Sequence, residues 1–160
     1  MNKINICLDS KIWIRELPNI EKIVKKILQK SISSEKKITN SNVEVTILLT
    51  NTKKMTILNQ KYRKIKKDTD VLSFPAEKPI FYKRKKINSK YIYLGDLAVS
   101  YNYIKNKTKI DFKQYLKKIL IHGFLHLVGH DHNNENNYIK MEKAQKRIAN
   151  LIWEIKKIKV

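Results

Sequence analysis

Residues Ile121-His122-Gly123-Phe124-Leu125-His126-Leu127-Val128-Gly129-His130-Asp131-His132 hold all four histidines of the chain and two of its three glycines. His122 and His126 are four residues apart, so on a helix their side chains stand one turn apart on one face. Gly129 is a natural place for that helix to stop, because glycine accepts the left-handed backbone that ends many helices. The chain can then turn back and bring His132 to the same point. Two imidazoles from a helix and one from the turn beyond it make a nitrogen set for one metal ion. Three neutral imidazoles leave the fourth position of a tetrahedral zinc ion open to water, the pattern of a catalytic site. Zinc lowers the pKa of bound water from near 16 to about 7, so such a site activates water at neutral pH.

A lone histidine on an apolar helix is more often a hydrogen-bonded core residue than a ligand. Three at spacings of four and six around a glycine, with none elsewhere in the chain, favour the metal. His130, on the turn itself, reads as exposed or as standing behind the ligands. Zinc proteases of the H-E-x-x-H kind place a glutamate base beside the first histidine. Here that position is Gly123, which disfavours protease chemistry, and Asp131 is the one acid of the stretch that could replace it.

The elements that must position this set can be read from periodicity. Asp111 and Gln114 are spaced like a capping box ahead of the metal helix. That helix is apolar nearly all round, through Leu116, Ile119, Leu120, Ile121, Phe124, Leu125, Leu127 and Val128, and so belongs in the core. The metal would then sit at the floor of a cleft. Ile4, Ile6 and Leu8 alternate as a strand does, and so do Val43, Val45, Ile47 and Leu49. Val71 to Phe74 reads as a short strand stopped by Pro75. Tyr93 to Ser100 reads as another, with Gly95 allowing a bulge or a close approach. Pro18 opens an amphipathic helix through Ile20, Ile23, Val24, Ile27 and Leu28, and Ser33 to Ser41 is a polar loop. Asn51 or Thr52 caps a short helix carrying Met55, Leu58 and Tyr62, with Arg63 at its end and a basic loop from Lys64 to Lys67. The last helix shows one stripe, Met141, Ala144, Ile148, Leu151, Ile152 and Ile155, with Trp153 in the core or on its rim. Lys83 to Lys86, flanked by Phe81, Tyr82 and Tyr91, reads as a solvated loop rather than a contact to RNA.

At 160 residues and 42% apolar content, the chain suits one globular domain spanning 1–160. Strands and helices mix without strict alternation. The expectation is an α+β (mixed α/β) fold, a small mixed sheet of about four strands packed by about five helices, with the metal helix central. The single cysteine, Cys7, cannot form an internal disulfide, and a reducing cytoplasm is the natural setting. Neither a signal-peptide run nor a membrane-length apolar stretch is present in the sequence. The formal charge of +21 suits a polyanionic partner, nucleic acid above all. Lysine dominates over arginine, and part of the excess fits an A/T-rich codon bias, which discounts the argument.

The segment from His122 to His132 resembles the H-G-x-L-H-L-x-G-Y-D-H signature of the YbeY family of bacterial endoribonucleases, with His130 in the tyrosine position. Leu58-Asn59-Gln60-Lys61-Tyr62-Arg63, then Thr69-Asp70-Val71-Leu72-Ser73-Phe74-Pro75, and Leu94-Gly95-Asp96-Leu97-Ala98-Val99-Ser100 resemble further segments of that family, in its order. The resemblance implies a metal-dependent endonuclease of single-stranded RNA. It would act in late maturation of the 3′ end of small-subunit (16S) rRNA and in ribosome quality control, with ribosomal proteins and assembly factors as partners. It makes His122, His126 and His132 the ligands of one Zn2+, or another divalent transition metal, at the catalytic centre. It also implicates Arg63 in catalysis, and a guanidinium suits the charge that develops on phosphoryl oxygens. Asp96 and Asp131 are candidates to orient a ligand imidazole or a water, although Asp70, Ser73 and Asp96 also read as turn and cap residues. Either a metal-activated water or the ribose 2′-hydroxyl could attack phosphorus. Two other readings stand beside this one, a zinc-dependent peptidase or amide hydrolase and a non-catalytic ribosome-assembly factor.

Overall fold

In the computed structural model, residues 1–84, 87–107 and 109–152 are described. The elements follow in the order β1 (Lys3–Leu8), α1 (Ile12–Glu16), α2 (Ile20–Ser34), β2 (Asn42–Thr50), α3 (Thr52–Arg63), β3 (Val71–Pro75), α4 (Pro79–Tyr82), β4 (Tyr91–Ser100), α5 (Tyr101–Lys105), α6 (Phe112–Leu127) and α7 (Glu135–Leu151). The four strands form one mixed sheet in the order β1-β2-β4-β3. β1, β2 and β4 run parallel, and β3 pairs antiparallel with β4 at the edge. The expected α+β fold and four-stranded sheet are present, but there are seven helices among the described residues rather than about five. The additions are short pieces, α1 and α5 of five residues each and α4 of four. A hydrophobic period needs more than one turn to declare itself, so such pieces leave little trace in a sequence.

Alternation along β2 sends Val43, Val45, Ile47 and Leu49 to one face, where all four are buried in the larger core cluster with residues of α2, α6 and α7. The opposite face carries a smaller cluster of Met55, Leu72 and Ala98, with Leu48, Leu58 and Phe74 packed against it, under α3. In β4 the alternation breaks once. Tyr93 pairs with Glu44 but Gly95 with Val45, so β4 carries one extra residue at this point. Gly95 adopts φ +123, and a Cβ there would stand 2.1 Å from the carbonyl oxygen of Phe74. Ile92 and Leu94 therefore face the larger core before the bulge, and Leu97 and Val99 after it.

α6 is the central helix and packs against β3, β4, α2, α5 and α7. The Asp111 carboxylate caps it by accepting the Gln114 N–H at 3.1 Å. Leu116, Leu120, Ile121, Phe124, Leu125 and Leu127 are wholly excluded from solvent. Each side chain of this size contributes about 1.5–3 kcal/mol when fully buried, so rotating the helix would be costly. Two contacts tie α6 to β3. The Tyr115 hydroxyl donates to Asp70 at 2.9 Å, and the Ser73 hydroxyl donates to the Gly123 carbonyl at 3.2 Å. At Gly123 the helix lies so close to the sheet that a Cβ would stand 2.9 Å from Leu97 Cδ2.

Some boundaries differ from expectation. α2 continues through Ser34, one residue past the expected start of the polar loop at Ser33. In α7, Met141, Ala144 and Ile148 are buried, and Ile152 just beyond it is too, but Leu151 is exposed because it lies off the stripe's axis. Trp153 and Ile155 lie outside the described residues, as do Lys85 and Lys86 of the basic run. Among the described residues no helix is long and apolar enough to cross a membrane.

Gly95→Ala places a methyl group against backbone atoms in a conformation that alanine resists. The expected loss is about 3 kcal/mol or more, at the upper end for overpacking, read as a lower midpoint of urea unfolding. Wild-type stability in this variant would show that the bulge is not built as described.

Candidate metal centre

The end of α6 sets the site. Gly129 has φ +87, its N–H donates to the His126 carbonyl at 3.1 Å, and the His130 N–H donates to the Leu125 carbonyl at 2.9 Å. This pair of bonds is a Schellman cap, which requires a left-handed residue and reverses the chain. Asp131 then accepts the backbone N–H of His132 at 2.6 Å and holds the turn. The His132 ring returns over the helix to within 5.6 Å of the His122 ring and 5.0 Å of the His126 ring, centroid to centroid. One ring nitrogen from each of the three histidines lies within 4.8 Å of the others.

The hydrogen bonds behind the rings decide which nitrogens face inward. His126 Nδ1 donates to the carbonyl oxygen of His130 at 3.0 Å, and His122 Nδ1 to Gln145 Oε1 at 3.3 Å. A neutral imidazole that gives its one proton at Nδ1 keeps a bare lone pair at Nε2. The two Nε2 atoms are 3.1 Å apart. Two lone pairs at that separation repel, and a cation between them turns the repulsion into ligation. Metal–nitrogen bonds of about 2.0–2.1 Å in a tetrahedron put neighbouring nitrogens about 3.3 Å apart, so the pair fits one ion. Burial, followed by the nearby His122 and His132, pushes the His126 pKa down to about 4, and burial is also the main cause of the lowered pKa of His122. Both rings are thus neutral at pH 7, the form that binds metal. An all-imidazole set suits zinc and its transition-metal neighbours better than magnesium or calcium, which prefer oxygen.

The cluster borders a cleft of about 450 Å³ between α6 and α7, whose lining includes Lys118, His122, His132, Tyr138, Gln145 and Lys146. The remaining sequence-predicted residues fall elsewhere. His130 contributes its carbonyl behind His126, while its ring lies 3.9 Å from the Glu35 carboxylate. The Asp131 carboxylate holds the turn through a backbone N–H rather than a ligand ring. Asp96 does not reach the histidines. The bulge at Gly95 turns it to the opposite sheet face from α6, where it accepts from the Tyr93 hydroxyl at 2.5 Å. Arg63 is exposed in the last turn of α3 and does not line the cleft. Gly123 faces Val71, Ser73 and Leu97, so a side chain at this position would enter the sheet rather than the metal site.

Gln145 and Lys118 are among the cleft residues that sequence reasoning missed. Gln145 borders the buried stripe of α7, a polar residue one position past Ala144, but nothing in the sequence says which helix it meets. Lys118 sits four residues before His122, and that same-face spacing could have found it.

Comparisons with known proteins point to one family. A family profile described as "Endoribonuclease YbeY" matches residues 7–152. The "Endoribonuclease YbeY" of Pelagibacter ubique is 38% identical, over 100% of this chain and 99% of its own. That of a Sulfurihydrogenibium species is 31% identical over 96% of each. The solution structure of TM1509 from Thermotoga maritima superposes with a TM-score of 0.55 at 25% identity, covering 94% of this chain and 89% of that one.

Gln145→Leu removes the acceptor that fixes the His122 tautomer. Metal affinity, measured by competition with a chromophoric chelator, is expected to fall about 10- to 100-fold with folding intact. The pH response of the metal-free protein follows from His126. Its folded pKa of about 4 lies below the ordinary value of 6.5, so the unfolded chain takes up a proton that the folded chain refuses. Stability should fall as pH drops through that window and level off below it, and His126→Gln should flatten the urea-unfolding profile there. A profile unchanged by the substitution would contradict the buried, neutral ring.

Proposed function

The chain belongs to the YbeY endoribonuclease family, and from that premise we propose that it is a metal-dependent endonuclease hydrolysing phosphodiester bonds of single-stranded RNA. The observation that carries the reading is the convergence of three imidazoles, two of them with bare Nε2 lone pairs 3.1 Å apart, beside an open cleft. A divalent ion held there, Zn2+ in our reading, supplies Lewis-acid and water-activating chemistry. His122 and His126 hold it through Nε2, aligned by Gln145 and by the His130 carbonyl, and His132 completes the set from the turn. Lys118 stands one turn before His122 in the same cleft and presents a cation to the phosphate that lies there. Arg63 grips the RNA backbone, its planar guanidinium matched to two phosphate oxygens. The formal charge of +21 supports a polyanionic substrate.

The substrate we assign is the 3′ end of small-subunit (16S) rRNA in the cytoplasm, within ribosome quality control and in company with ribosomal proteins and assembly factors. The family supports this finer assignment. The competing peptidase reading loses ground at Gly123. A glutamate there would point among Val71, Ser73 and Leu97, away from the imidazoles.

The test incubates the purified full chain with a single-stranded rRNA fragment and with casein, each with and without chelator. RNA cleavage that stops with chelator and returns with zinc is expected. Proteolysis without RNA cleavage, or cleavage indifferent to chelator, would reject the proposal. Arg63→Ala should keep its metal and cleave about 10- to 100-fold more slowly, the loss expected for charge-assisted hydrogen bonds worth about 1.5–3 kcal/mol. An unchanged rate would remove Arg63 from the mechanism.

A further inference from the structure

The outer face of the sheet carries a second pocket, distinct from the histidine cleft. It is a cavity of about 380 Å³ whose lining includes Tyr62, Phe74, Leu48, Leu58 and Asp96. The Tyr62 and Phe74 rings meet at 63° with centroids 4.8 Å apart, so they form a corner rather than a stack. Tyr62 is 55% exposed. Leu48 and Leu58 supply an apolar floor. The Asp96 carboxylate is exposed on the same face and is braced by the Tyr93 hydroxyl.

Cations stand at the Tyr62 side. Lys61 Nζ lies 5.3 Å from the Tyr62 ring centroid. Arg63 follows Tyr62, and Lys64 caps the helix in the left-handed conformation, with Lys66 and Lys67 exposed just beyond. An open aromatic corner, an apolar floor, one carboxylate acceptor and a cationic rim are the features that take a base by its face, its exocyclic amino group and its phosphates. A purely apolar partner would be mismatched to the carboxylate and the rim.

We propose that this pocket binds one unpaired nucleobase of the RNA, stacked in the Tyr62–Phe74 corner, with its amino group toward Asp96 and its phosphates on Lys61 and Arg63. The inference rests on the reading of the chain as an RNA endonuclease and adds a base-holding subsite to it. β3 is an edge strand, with Ser73 turned to α6 and Phe74 turned to the outer pocket.

The experiment uses the zinc-loaded full chain and a labelled single-stranded oligoribonucleotide, with an abasic site moved through it one nucleotide at a time. For wild type, one abasic position should weaken binding about 5- to 100-fold, the range for a lost base–aromatic stack. Tyr62→Leu and Phe74→Leu keep the apolar volume but remove the ring faces. Each should weaken binding of the intact oligomer to a similar degree, become insensitive to that abasic site, and retain full metal content. Asp96→Asn should reduce the preference for cytosine or adenine over uracil at that position. The inference is overturned if wild type binds and cleaves RNA while no abasic position matters and both ring variants bind as wild type does. Loss of ribosomal-protein binding in those same variants would then give the face to a protein partner. A wild type that binds no RNA at all would instead defeat the endonuclease reading itself.

Discussion

At Gly123 the metal helix touches the sheet so closely that one methyl group would collide with Leu97. That contact fixes the height of α6 above β3 and β4, and the exclusion of Leu116, Leu120, Phe124 and Leu127 from water fixes its rotation. His122 precedes Gly123 by one residue, about 100° of turn round the helix, and points off the sheet toward Gln145 of α7. The absence of a side chain at Gly123 lets α6 approach Leu97, Ser73 and Val71 this closely. The hydroxyls of Ser73 and Tyr115 then lock the helix to β3. Asp70, Val71 and Ser73 of the segment Thr69-Asp70-Val71-Leu72-Ser73-Phe74-Pro75 thus help to seat α6.

The three-histidine cluster has the electrostatics of a site that could hold a cation. Burial disfavours a proton on His126 or His122. Their Nδ1 protons are already committed, and their Nε2 lone pairs face each other. A divalent ion bound there would relieve that repulsion, and its binding would then be coupled to the stability of the fold. For His122 and His126, neutrality and pre-set tautomers mean that a bound ion would not need to displace their protons or turn their rings.

The histidine spacing, the glycine stop and the apolar helix were legible in the sequence because each is a local property. Four residues set a shared face, one glycine sets a left-handed turn, and an all-round apolar pattern sets burial. The Asp111 cap and the Asn51 cap of α3 were legible for the same reason. What escaped was tertiary or too short. Gln145 meets His122 only because α7 packs beside α6, at a separation of 23 residues. The single-turn helices α1, α4 and α5 carry too few residues for a period. The face taken by Asp96 depends on a subtler effect, because the bulge at Gly95 slips β4 by one residue and moves every later side chain of the strand to the other face.

That slip has a reason in free energy. With unbroken alternation from Ile92 and Leu94, residue 96 would face the larger core and Leu97 would face outward. A carboxylate would then sit under α6 without a counter-charge, at a cost of several kcal/mol. The bulge returns Asp96 to the outer face and puts Leu97 against Gly123, so one backbone irregularity both completes the seat of the metal helix and assembles the outer pocket. β3 completes the separation. With a period of two, its Val71 and Ser73 serve α6 while its Leu72 and Phe74 serve α3. Five residues at a sheet edge divide two surfaces of different chemistry, and the glycine opposite Pro75 keeps the two in register.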